Sequence, residues 1–191
     1  MNNQYVNEIN RGLSPAGRSF WWTALALAVV MAVTRLGHFG EYGGPVDASW
    51  AVFLLAGLWL RDLRLFPGFF LLAWVTDLAA FALGTPTNCY SIAYLFLVPA
   101  YGALWLAGRW ASEGGIARIA LATVGGSAVT FVVANAGMYL LAPSPSAPTL
   151  GAFASAVVGY FPGYLTTTAM YVAVGVLAET ALRGVRRSSL V

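Results

Sequence analysis

Ser49-Trp50-Ala51-Val52-Phe53-Leu54-Leu55-Ala56-Gly57-Leu58-Trp59-Leu60 is apolar after its first residue, and Asp47 or Ser49 is placed to cap it as a helix. At about 1.5 Å per residue it reaches only about 20 Å, short of a bilayer's hydrocarbon thickness, so length alone allows a span or a re-entrant piece. Charge separates the two. If the segment spans, the chain crosses six times. Arg11, Arg18, Arg61, Arg64, Arg109, Arg118, Arg183, Arg186 and Arg187 then share one side with both termini, leaving only Arg35 near the other. Nine of ten arginines on one side is a strong positive-inside pattern, which loss of this span would scatter. The expected fold is therefore an all-α integral membrane bundle of six transmembrane helices, with N and C termini cytoplasmic.

Composition agrees. The chain is 59% hydrophobic and 9% charged, against roughly 25% charged in soluble domains. A net charge of +3 reflects topology, not nucleic-acid binding. Every cation is arginine, and the absence of lysine excludes both a phosphate-binding G-x-x-x-x-G-K-[ST] loop and a lysine Schiff base. With one histidine and one cysteine, the chain holds no H-E-x-x-H, no C-x-x-C and no intramolecular disulfide.

Outward from the central segment, residues 1–18 read as a polar cytoplasmic lead, 19–182 as the membrane domain and 183–191 as a cytoplasmic tail. The first helix, Ser19 to Leu36, carries Ala24, Ala28 and Ala32 on one face. Such small-residue stripes allow close helix approach, either inside the bundle or against another subunit. Helix three starts at Phe66-Pro67-Gly68, with proline where a first turn tolerates it, and runs to about Leu83. Helix four covers about Tyr90 to Ala107, and helix five about Ile116 to Leu141. Gly151 to Leu182 is too long for one straight span, and Gly159-Tyr160-Phe161-Pro162-Gly163-Tyr164 predicts a break.

The chemistry is expected at the outer loops, 37–47, 84–89 and 142–150. Gly84-Thr85-Pro86-Thr87-Asn88-Cys89-Tyr90 holds the only cysteine, placed where a helix resumes. A helix N-terminus favours the thiolate, a soft metal ligand and a good nucleophile; the plain alternative is a small apolar filler. His38, in a glycine-rich loop, is the other nitrogen or sulfur candidate ligand, unless it is simply solvated. Tyr42, Trp50, Tyr90, Tyr94, Tyr139, Tyr160 and Tyr164 gather near these loops, as an interfacial aromatic belt or as the walls of an open-mouthed pocket. Asp77 lies near mid-depth on helix three and is a site candidate by its cost in the membrane; its alternative is a structural partner for Arg35 or a tyrosine hydroxyl. Asn135 reads as an interhelical hydrogen bond.

A lysine-free six-helix bundle, the Ala24/Ala28/Ala32 face and Thr87-Asn88-Cys89-Tyr90 together resemble the substrate-binding S components of energy-coupling-factor transporters. More narrowly, the chain resembles the BtuM family of bacterial cobalamin transporters. The resemblance implies a bacterial inner-membrane vitamin-uptake protein that binds cobalamin in an outward cavity. It implies that Cys89 ligates the cobalt and assists removal of cyanide from cyanocobalamin, with His38, Tyr42, Asp77, Tyr90, Tyr94 and Tyr160 as further residues of the ligand site. It also implies a coupling subunit and ATPases docking on Ala24, Ala28 and Ala32. A different class of reading is a small membrane enzyme using Cys89 as a nucleophile on a lipid or isoprenoid substrate. A third is a non-catalytic assembly subunit.

Overall fold

A computed structural model describes residues 15–36, 46–83, 92–141 and 149–188. Every regular element among them is helical. In chain order they are α1 (Pro15–Leu36), α2 (Ser49–Trp59), a 3-10 turn (Leu63–Leu65), α3 (Phe66–Ala82), a second 3-10 turn (Ile92–Phe96), α4 (Leu97–Ala111), α5 (Ile116–Leu141), α6 (Leu150–Val158) and α7 (Phe161–Ser188). Five helical stretches are long and apolar enough to cross a membrane: Ser19–Leu36, Leu63–Ala82, Ile92–Ala111, Ile116–Leu141 and Phe161–Leu182.

The short α2 is the centre of the bundle. It packs against α1, α3, α4, α5 and α7, so each long helix touches it. Nine of its residues, from Ser49 through Leu58 with only Trp50 excepted, are buried. An apolar helix buried all round has no polar stripe to show, which is why its sequence is uniformly hydrophobic. Its partner in the closest crossing is α4. A Cβ added to Gly57 would run into the backbone carbonyl of Trp105, and one added to Gly108 into the carbonyl of Leu54. Glycine at both positions therefore sets how near the two backbones lie, as small residues do at membrane helix interfaces. Around the crossing, Phe53 stacks on Tyr101 at 4.5 Å and meets Phe69 and Trp105 edge-on.

Local signals account for the helix ends. The N-cap of α2 is Ala48, not Asp47 or Ser49, and it makes no side-chain cap bond; Asp47, one residue earlier, accepts at Oδ1 from the Ser49 backbone N–H at 2.8 Å and the Ser49 hydroxyl at 2.6 Å. α2 stops where Arg61 enters the left-handed region at φ 57, returning its N–H to the Ala56 carbonyl at 3.3 Å. Glycine is the usual residue there. Arginine instead uses its side chain, donating to the Ser112 carbonyl at 2.7 Å and tying the α2–α3 turn to the α4–α5 turn. Pro67 occupies the first turn of α3, as expected.

The expected break is present between α6 and α7. Bonds from Tyr160 N–H to Val157 O and from Gly163 N–H to Tyr160 O carry the chain past Pro162, which has no N–H to give. Two further details differ from the sequence reading, and Ala24 takes its within-bundle alternative. Helix four opens as a 3-10 turn and continues to Ala111, not Ala107; Pro99 then sits in the first turn of α4, where its missing N–H costs nothing. Among the described residues, Asn135 donates to Phe131 O in its own helix at 2.8 Å and to no other helix. On α1, Ala24 is buried in the core and Ala28 packs on it, while Trp22, Leu25, Val29 and Val33 face outward.

Substituting leucine at Gly57 or Gly108 should force the α2–α4 crossing apart and cost about 3 kcal/mol or more, beyond ordinary overpacking because backbone must move. Thermal unfolding in detergent checks this: both variants should lose the folded peak, and Gly125→Ala, whose added Cβ meets nothing within 4 Å, should keep it.

Candidate functional site

Two features meet at the end of the bundle where α1 stops and α2 begins. The first is a buried ionic cluster around Arg35. Its side chain lies at the end of α1 and is 4% exposed; its main partner, Asp77 on α3, is fully buried. Arg35 Nε donates to Asp77 Oδ1 and Nη2 to Asp77 Oδ2, both at 2.7 Å, the two-pronged geometry that suits a guanidinium to a carboxylate. Nε also reaches the Ala73 carbonyl at 3.2 Å. Nη1 donates to Ser49 Oγ at 2.9 Å, to the Tyr101 hydroxyl at 3.0 Å and toward Asp47 Oδ2 at 3.4 Å. Tyr94 completes Asp77 by donating to Oδ2 at 2.8 Å. Arg35, Asp77 and Tyr94 border a void of about 10 Å³, at the lower limit for a single water.

This arrangement contains the structural partners expected for Asp77. Arg35 and a tyrosine hydroxyl are both its partners, and both carboxylate oxygens are engaged. The lone arginine displaced from the charge pattern is thus a buried, paired side chain. Tyr94 points into the same cluster.

The second feature is a cleft of about 330 Å³ between the start of α2 and the first turns of α7. Val46, Asp47 and Trp50 form one side, and Tyr160, Gly163, Tyr164, Thr167 and Thr168 the other. Trp50 and Tyr164 stack with centroids 4.8 Å apart and planes 19° from parallel. Phe131 on α5 backs Tyr164 at 6.2 Å. Below the cleft, the Tyr171 hydroxyl donates to the Val46 carbonyl at 2.8 Å, pinning the approach to α2 against α7. Tyr160, at the helix break, is 66% exposed at the rim. Asp47 belongs to both features, lining the cleft while facing Arg35.

Of the expected site residues, Tyr160 lines the cleft, whereas Asp77 and Tyr94 lie in the ionic cluster. Cys89, His38, Tyr42 and Tyr90 fall outside the described residues. Tyr139 turns away to Phe153 on α6, at 5.1 Å. The sequence reading did not single out Tyr101, Thr167 or Thr168. A hydroxyl run at 166–168 in an apolar helix was the available signal for the latter two. No family model matches the chain, and no curated protein matches it.

Removing Arg35 alone leaves Asp77 buried without its counter-charge. Arg35→Met should therefore destabilise the fold by about 3–5 kcal/mol, and adding Asp77→Leu should recover much of that loss. Tyr94→Phe, which removes one hydrogen bond to a charged group, should cost about 1.5–3 kcal/mol. Chemical denaturation of the purified variants in one detergent measures all three.

Proposed function

We propose that this chain is a cobalamin-uptake protein of the bacterial inner membrane, in which Cys89 ligates the cobalt of a ligand held in an outward-facing cavity. The observation that supports the reading is where the cleft opens. The segment 84–91 that carries Cys89 leaves from the end of α3 and returns at Ile92. Asp77, five residues before α3 ends, and Tyr94 just after the return are joined by a 2.8 Å hydrogen bond, and Arg35 links them to Asp47 in the cleft wall. Both flanks of the cysteine segment thus belong to the same end of the bundle as the aromatic cleft. The resemblance carried by Thr87-Asn88-Cys89-Tyr90 supplies the rest.

In this reading α2 counts as a sixth span and both termini face the cytoplasm, the arrangement that collects nine of ten arginines there. A cleft of about 330 Å³ receives one edge of so large a ligand. At cobalt(III) the step is ligand exchange: a cobalt–sulfur bond forms, the cobalt–carbon bond to cyanide breaks, and cyanide leaves with its electron pair and takes up the thiol proton. The metal keeps its oxidation state and arrives with the ligand as cargo. The chain has no Walker motif, so concentrative transport would draw on a coupling subunit and ATPases. With Ala24 turned into the core, α1 offers Ala28 and Ala32, both half-buried, to such a partner.

A visible-absorption titration with cyanocobalamin tests the proposal. Purified chain should bind it and shift its spectrum as sulfur replaces cyanide, and Cys89→Ala should abolish the shift. No binding by the unmodified chain, or the same shift in Cys89→Ala, overturns it.

A further inference from the structure

The cleft's chemistry is one-sided. Among the described residues that line it, Asp47 is the only charged side chain. Its carboxylate is fixed in place, with Oδ1 accepting from the Ser49 N–H and hydroxyl and Oδ2 facing Arg35 at 3.4 Å. That arginine already makes two 2.7 Å bonds to Asp77, so among the described residues one guanidinium faces two carboxylates. Any anion entering the cleft would add a third negative charge beside it. The remaining groups lean the same way. Thr168 commits its hydroxyl proton to the Tyr164 carbonyl at 2.8 Å, so it presents lone pairs to a neighbour. Trp50 and Tyr164, stacked on one another, add aromatic surface and no positive charge to the walls.

We infer that this cleft selects uncharged groups, the primary amides of its ligand among them, and turns carboxylates away. The inference rests on the cobalamin reading and narrows its substrate class: the form with all peripheral side chains amidated is taken up, and forms carrying a free acid on the edge that enters the cleft are rejected. Asp47 is the residue that determines this specificity. Discrimination of this kind is a difference of two affinities, produced here by repulsion of the wrong ligand.

Binding of cyanocobalamin, its series of monocarboxylic acid derivatives and their methyl esters should be compared on the full chain in detergent. At least one acid should bind about tenfold or more weakly than the amide, as like-charge juxtaposition at an interface predicts. Its methyl ester, larger but neutral, should regain most of the affinity. In Asp47→Asn the acid should come within about threefold of the amide, because the repulsive charge is gone. Acids that all bind within about threefold of the amide in the unmodified chain would overturn the inference while leaving the cobalamin reading intact. So would full discrimination in Asp47→Asn. If that variant does not fold, the acid–ester comparison on the unmodified chain decides the matter alone. Failure of cyanocobalamin itself to bind removes the parent reading and this one together.

Discussion

One guanidinium held between two carboxylates organises this molecule. Arg35, Asp77 and Asp47 come from α1, α3 and the approach to α2, and Tyr94 and Tyr101 add the 3-10 turn and α4. Charges taken out of water lose several kcal/mol each, and their attraction roughly returns that loss. The pair therefore contributes little net stability. What it contributes is arrangement, since any shift of α1 against α3 would strand a charge in an apolar interior. An apolar bundle in which every sliding register buries similar area has few other means of choosing one.

The second constraint is the length of α2. At 11 residues it is shorter than each of the five helices it touches. A short helix at the centre of longer ones leaves a recess at its end. Here the recess is walled by α7, whose preceding break places Tyr160 at the rim and brings Gly163 and Tyr164 to the wall. Asp47, in the opposite wall, faces the ionic cluster, so the cleft and the buried pair share a side chain. A ligand that contacts Asp47 is thereby one hydrogen-bonding group away from the interaction that registers α1, α3 and α4.

Much of the architecture was legible in the amino-acid order because its causes are local. Runs of apolar residues mark the long helices; Pro67 marks a start, and Gly159 through Gly163 mark a break. Proline and glycine act on the backbone beside them, so their effect does not wait for a partner. The cost of a mid-membrane carboxylate is likewise local, which is why Asp77 stood out and why Arg35 or a tyrosine hydroxyl was its expected partner.

Tertiary structure decided which faces meet. That Arg35 and Tyr94 both serve Asp77, that Asn135 bonds within its own helix and that Ala24 faces inward depend on the rotation of each helix about its axis. A segment apolar on all sides carries no record of that rotation, because its hydrophobic pattern has no preferred face. The same holds for α2, whose uniform sequence announced burial without naming its neighbours. Gly57 and Gly108 set the closest approach only because α2 and α4 cross there, and the cleft exists only because the start of α2 meets α7.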